Sequence, residues 1–170
     1  RTNLNRLVAD RRAAVSAAKI EDRARDEVRK VFLETPKAGR ASIATRVFFP
    51  ERSADIADRP ALTLVVLAPD AALSDKEVTA FVETATRESG SSGRSFKSAI
   101  FWVAPDGPNA LREAARKLLA WEEIEADVHD LKLDDSQKRQ LVESRRMAER
   151  DLKEAVWRTY RYLLLLSKDG

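Results

Sequence analysis

The chain has 170 residues, 44% apolar and 35% charged, with no cysteine and a single histidine. That apolar content supports a packed core and excludes a disordered chain. The missing cysteines exclude disulfide frameworks, thiolate zinc sites and cysteine nucleophiles, and one histidine excludes every mechanism that needs two.

Residues 4–33 carry Leu4, Leu7, Val8, Val15, Ala18, Val28, Val31 and Phe32 near helical spacing, with no Gly or Pro before Pro36. They predict one long helix within an N-terminal segment 1–35, stopped by Pro36 and Gly39. Residues 43–49 are β-branched and aromatic and are closed by Pro50, which predicts a strand. Ser53, Asp55, Asp58 and Pro60 mark a loop over 51–60.

Leu62–Leu67 then reads as a strand buried on both faces, followed by Ala68-Pro69-Asp70. The next helix presents Val78, Phe81, Val82 and Ala85, and Ser74 with Glu77 three residues later suggests a capping box. Gly90-Ser-Ser-Gly93 breaks the chain as a flexible connection. A second buried-type strand, Ala99–Val103, leads into Ala104-Pro105-Asp106. A helix from about Asn109 follows, with Leu111, Ala114, Ala115, Leu118 and Leu119 on one face. The two units echo each other, their prolines 36 residues apart, a spacing that suits a βαβ crossover. Pro and Asp after a strand have local reasons of their own, so convergence would produce the same echo.

Asp134 or Asp135 caps the last predicted helix, which is expected to run to Leu166 with Leu141, Ala148, Leu152, Val156, Thr159 and Leu163 on one stripe. Its end, Trp157 to Leu166, is far more apolar than its start and needs a covering surface. The expected architecture is therefore α/β: a small, mostly parallel sheet of about three strands with a βαβ core, covered by helices, with long N- and C-terminal helices. It forms one domain over 1–170, divided into helix 1–35, sheet-containing core 43–121 and long helix 134–166. The chain begins with Arg1 rather than Met, which suggests a piece of a longer protein.

The net charge of +3 is unevenly placed: +6 over residues 1–50, −7 over 51–135 and +4 over 136–170. Glu122, Glu123, Glu125, Asp127, Asp130, Asp134 and Asp135 make the acid densest in the middle. Basic ends packing beside an acidic middle is the default, because mixed charge on helices is usually a solvated face. The alternative is an anionic partner. The last helix carries Arg139, Arg145, Arg146, Arg150, Lys153, Arg158 and Arg161 with Trp157, Tyr160 and Tyr162, a possible nucleic-acid surface. Glu143, Glu149, Asp151 and Glu154 are interleaved with them, which favours intrahelical pairs such as Glu149–Lys153 and Glu154–Arg158, and core aromatics. No run approaches the ~18 apolar residues of a membrane span and no signal peptide opens the chain, so a cytoplasmic location and no membrane partner are expected.

Candidate chemistry is sparse. Asp70 and Asp106 follow two strands at the edge where open α/β sheets bind ligands. As a catalytic pair they would hold Mg²⁺; as ordinary turn residues they would cap the backbone. Arg94, after the glycine-serine loop, and Lys97 are the candidate cofactor-binding cations. That loop, however, has the wrong glycine spacing for a phosphate cradle and stands after a helix and before a strand, the reverse of what the chemistry needs. His129-Asp130 lacks the further ligands of a metal centre and reads as surface. No metal site is expected.

The ordered stretches Thr2-Asn-Leu-Asn5, Val47-Phe-Phe-Pro50, Leu64-Val-Val-Leu-Ala-Pro-Asp70, Phe101-Trp-Val-Ala-Pro-Asp106, Leu118-Leu-Ala-Trp-Glu-Glu-Ile124 and Trp157-Arg-Thr-Tyr-Arg-Tyr-Leu-Leu164 span nearly the whole chain. Together they resemble an interior segment of a family of large prokaryotic predicted ATPases, AAA-type, of unknown function. The resemblance implies a non-catalytic accessory or partner-engaging domain. Walker motifs, ATP and Mg²⁺ would belong to other parts of the full-length protein, with no cofactor in this segment. Partners would be the rest of the same polypeptide, a second copy through the C-terminal helix, or nucleic acid. The alternatives are a nucleic-acid-binding module and a Mg²⁺-dependent enzyme at the sheet edge.

Overall fold

The structure is a computed structural model that describes residues 2–34, 43 and 45–166. The predicted stop at Pro36 and Gly39 lies outside the described residues. The fold is α/β, with five helices and a mixed four-stranded sheet among the described residues. The chain divides into two compact units: Arg1–Val28 with Asn109–Trp157, and Arg29–Pro108 with Arg158–Gly170.

The first unit is helical. Helix α1 (Leu4–Ala14) starts at Asn3, whose side chain accepts from the Arg6 amide at 3.1 Å. The expected single helix over 4–33 is in fact two. Val15 leaves helical geometry at φ −64°, ψ 131°, and the Ser16 hydroxyl accepts from the Lys19 amide at 3.3 Å, capping α2 (Ala17–Leu33). A serine that satisfies an orphan amide starts a helix as readily as it tolerates one, so no Gly or Pro is needed at the break. Ile20, Ala24 and Val28 are buried at four-residue intervals along α2.

Helix α4 (Asn109–Ala126) packs against α1 and buries Leu111, Ala115, Leu118, Trp121 and Ile124. Helix α5 (Asp135–Thr159) opens on a reciprocal cap. The Asp134 carboxylate accepts from the Gln137 amide at 2.8 Å, and the Gln137 side-chain oxygen accepts from the Asp134 amide at 3.2 Å. Leu141, Ala148, Leu152 and Val156 form its buried stripe.

Charge in this unit is offset internally. Arg23 makes two 2.7 Å bonds to the Glu122 carboxylate, Arg112 pairs with Glu21, Arg11 reaches Asp127 at 2.8 Å, and Arg145 bridges Glu125 at 3.1 Å and Glu149 at 2.7 Å. The Glu122 hydrogen bonds hold the Arg23 guanidinium above its ordinary pKa, against some desolvation. Glu149 is thus engaged by Arg145 one turn before it, whereas the sequence suggested Lys153 one turn after.

The second unit holds the sheet: β1 (Thr45–Phe48), β2 (Thr63–Val66), β5 (Ile100–Pro105) and β6 (Tyr160–Leu165), in the spatial order β1-β2-β5-β6. The first three are parallel, with Val47 beside Val65 and Val65 beside Trp102. All four residues of β2 are buried, which accounts for its uninterrupted apolar sequence. Helix α3 (Lys76–Arg87) crosses between β2 and β5. It is capped by Asp75, which accepts from the Glu77 amide at 2.9 Å, so the cap falls one residue after the expected Ser74. Val65, Leu67, Val82, Ala85, Ile100 and Trp102 form the core between α3 and one face of the sheet.

Two expectations are corrected here. The sheet has four strands rather than about three, and it is mixed. The predicted helix to Leu166 ends at Thr159, where the chain turns into β6, antiparallel to β5. The Asp106 amide donates to the Thr159 carbonyl at 2.7 Å, and the buried Tyr160 hydroxyl donates to the Leu67 carbonyl at 2.7 Å. These bonds, with the edge of Tyr160 against Phe32 at 5.4 Å, outweigh the helical preference of the leucines that follow. The aromatics expected in the core divide accordingly: Tyr160 is buried, Trp157 and Tyr162 are exposed.

The glycine-serine stretch is also ordered rather than a loose connection. Glu88–Ser89 (β3) and Ser92–Gly93 (β4) form a two-stranded hairpin. Its turn places Gly90 at φ +63°, a conformation that L side chains resist.

Candidate functional site

Two regions of the sheet unit carry the residues of interest. The first is the carboxyl edge of the parallel strands. Asp70 and Asp106 both lie there, past the ends of adjacent strands β2 and β5, and both are exposed. Asp106 is committed to its neighbours on β6: one carboxylate oxygen accepts from Arg161 at 3.3 Å and the other from the Tyr162 hydroxyl at 3.3 Å. Asp70 sits in the turn where the Ala71 amide donates to the Ala68 carbonyl at 2.9 Å. Among the described residues, no three His, Cys, Asp or Glu side chains are grouped to hold a metal ion. The lone His129 is exposed.

Arg94 and Lys97 lie at the other end of β5, before it starts. A six-residue strand separates them from Asp106, about 17 Å along the chain direction, so they do not join the two aspartates. Lys97 is exposed in the turn Lys97–Ala99. Arg94 is buried at 4% exposure. Its Nε donates to the Ala85 carbonyl at 2.6 Å and one Nη to the Ser53 carbonyl at 3.3 Å. Burial lowers the Arg94 pKa, with Asp58 opposing the shift. This guanidinium ties the C-terminal end of α3 to the 53–55 turn through Nε and one Nη, while the other Nη is buried without a hydrogen-bond partner among the described residues.

Asp58 belongs to the same tie. Its carboxylate accepts from the amides of Ser95 at 2.8 Å and Phe96 at 3.0 Å. Amide donors stabilise the charged form, which holds the carboxyl below its usual range.

The second region is a cleft of about 340 Å³ beside β6. Val82 and Thr86 of α3 and Trp102 of β5 line it, with Leu164 and Leu165 from β6 and Glu83 and Arg87 at its rim. Its polar atoms are internally satisfied: the Trp102 indole N–H donates to the Thr86 hydroxyl at 3.0 Å, which donates to the Val82 carbonyl at 2.7 Å. Phe81 meets Trp102 edge-on at 6.0 Å. A site built this way offers apolar surface and shape. Among the described residues its only ionisable groups are the rim pair, which suits recognition of an apolar side chain rather than proton transfer or nucleophilic attack.

Sequence reading placed Asp70 and Asp106 at the sheet edge but missed the cleft. Val82, Trp102 and Leu164 were each visible as apolar; that they surround one space depends on β6. The strand-favouring tyrosines Tyr160 and Tyr162 were the local sign of a strand, although the register shift at Arg161 puts them on opposite faces. No protein-family model matches the chain, and no curated protein or solved structure is similar to it at a significant level.

Proposed function

We propose that this chain is a non-catalytic, partner-engaging α/β module, an accessory part of a larger predicted ATPase of the kind its Ala-Pro-Asp strands and Leu-Ala-Trp helix resemble. The observation that carries the reading is the apolar cleft beside β6, a strand whose Leu163 and Leu165 are 59% and 66% exposed. Apolar surface of this kind is what a protein partner covers. The commitment of Asp106 to Arg161 and Tyr162 supports a structural role for the carboxyl edge. Arg11, Arg23 and Arg145, each paired with carboxylates, are balanced within their own unit, which weakens the case for a phosphate-tracking surface.

The test is photo-crosslinking from benzoylphenylalanine placed at Leu165 in the intact protein, in its own cells. Covalent capture of a polypeptide is expected. Illumination that captures no polypeptide would overturn the reading, and so would ATP turnover by the chain itself above a heat-denatured control.

A further inference from the structure

Independently of the cleft, we propose that the outer face of α5 lies along the phosphate backbone of double-stranded DNA. Arg139, Arg146, Arg150 and Lys153 are all exposed on this helix. At about 100° per residue the four fall within about 40° of one direction, so they form a line along the helix rather than a scatter around it. At about 1.5 Å per residue that line runs about 21 Å from Arg139 to Lys153.

Carboxylates of the same helix do not neutralise these cations. Glu149 turns to Arg145, off the line. Among the described residues, the side chains of Arg139, Arg150 and Lys153 make no ion pair or hydrogen bond. Arg146 alone is paired, with Glu143 at 3.7 Å, the one carboxylate on the line between Arg139 and Lys153. Those two side chains are 62% and 68% exposed, so solvent screens the pair and a phosphate can take the place of the carboxylate. The arginines that carboxylates of this unit do hold, Arg11, Arg23 and Arg145, lie off this line.

The chemistry of the line selects the partner. Long cations in a row meet phosphates and read no bases. The apolar stripe of α5, Leu141, Ala148, Leu152 and Val156, is buried, so the outer face lacks the broad apolar surface by which a basic helix enters a membrane interface. No apolar or aromatic side chain stands on the line between Arg139 and Lys153 to anchor a protein interface. Recognition of RNA draws on 2′-hydroxyl contacts and on stacking with bases, and the line offers no hydroxyl, amide or ring for either. Duplex DNA carries one negative charge per about 1.7 Å of its axis, enough to meet all four cations at once, and contact through phosphates alone is independent of base sequence.

Fluorescence anisotropy of the full chain with a labelled DNA duplex of about 30 base pairs, over about 25–200 mM KCl, tests this. The logarithm of the affinity is expected to fall against that of the salt concentration with a slope of about −3.6, from four contacts at about −0.9 each. Arg150→Gln with Lys153→Gln should reduce the magnitude of that slope by about 2. The same pair of changes should leave far-UV circular dichroism and the melting temperature unchanged, since both side chains are exposed and make no ion pair among the described residues. Lys19→Gln with Lys76→Gln removes as much charge from exposed positions elsewhere and should leave the slope as it was. Absence of binding at the lowest salt overturns the proposal. An equal loss from the two pairs of substitutions also overturns it, because it would mean attraction to the general charge of the chain. So does tighter binding to duplex RNA, to single strands or to phosphatidylserine vesicles than to the DNA duplex. Crosslinking at Leu165 reports on the cleft alone, so either reading can fail without the other.

Discussion

Replacing Thr86 with valine tests the floor of the cleft directly. Thr86 and Trp102 are 9% and 1% exposed, and the indole N–H is satisfied by the threonine hydroxyl at 3.0 Å. Thr86→Val keeps the side-chain volume but leaves that N–H buried without an acceptor, at a cost of about 1–3 kcal/mol. The added methyl recovers up to about 0.8 kcal/mol of apolar burial. Loss of the bond to the Val82 carbonyl adds little, because that carbonyl lies within α3 and keeps its helical partner. The net expectation is a loss of about 1–2 kcal/mol, a fall of roughly 0.5–1 M in the urea midpoint for a slope near 2 kcal/mol/M. The decisive comparison is the same change in a Trp102→Phe background, where no indole N–H remains and Thr86→Val should be neutral or slightly stabilising. Far-UV circular dichroism is the suitable probe, since the substitution alters tryptophan fluorescence itself. A cost for Thr86→Val that agrees in the two backgrounds to within about 0.5 kcal/mol would refute the reasoning, because it would mean that the two side chains are not coupled.

Asp58 has a folded pKa below its unfolded value, because the Ser95 and Phe96 amides bind its charged form. The stability it contributes is present above the unfolded carboxylate pKa and is lost as pH falls through the folded one. Thermal unfolding measured from neutral to strongly acidic pH should therefore show Asp58→Asn less stable at neutrality but less sensitive to acid than wild type. Gly90→Ala should cost about 1 kcal/mol, because φ is +63° while the nearest foreign atom, Ala54 Cβ, is an unhindered 3.7 Å from the added carbon. Gly93→Ala, with nothing within 4 Å and no positive φ, is the control that should leave the melting temperature nearly unchanged. Arg23→Met should cost about 1 kcal/mol and lose part of that cost in high salt, since both partners are roughly one-third exposed. A salt-independent loss would point to packing of the arginine stem instead.

Helices α4 and α5, the strands β2 and β5, and the α3 crossover were all legible along the chain. Each announces itself locally: β2 and β5 by unbroken apolar runs, α4 by Leu111, Ala115 and Leu118 at helical spacing, and α5 by Asp134, which indeed caps it. The break at Ser16 was missed because serine caps a helix with the same hydroxyl that it carries harmlessly within one. The hairpin at Gly90 was missed because its stability comes from distant partners. The Gly90 amide donates to the Ser53 hydroxyl, and Ser89 to the Ile56 carbonyl, more than 30 residues away.

β6 marks the boundary most clearly. Tyr160 to Leu166 follows a 25-residue helix and is rich in leucine, so local preference, the two tyrosines apart, continues the helix. Its conformation is set instead by the open edge of β5, about 60 residues earlier in the chain, and by the Leu67 carbonyl that receives the Tyr160 hydroxyl. Backbone donors and acceptors at a sheet edge look alike whatever side chains they carry, so their need for partners leaves no mark in the residue pattern. The apolar character of this segment is written in the amino acids. Its placement as an end strand, and with it the cleft against α3 and the exposed leucines, comes from hydrogen bonds between groups remote in the chain.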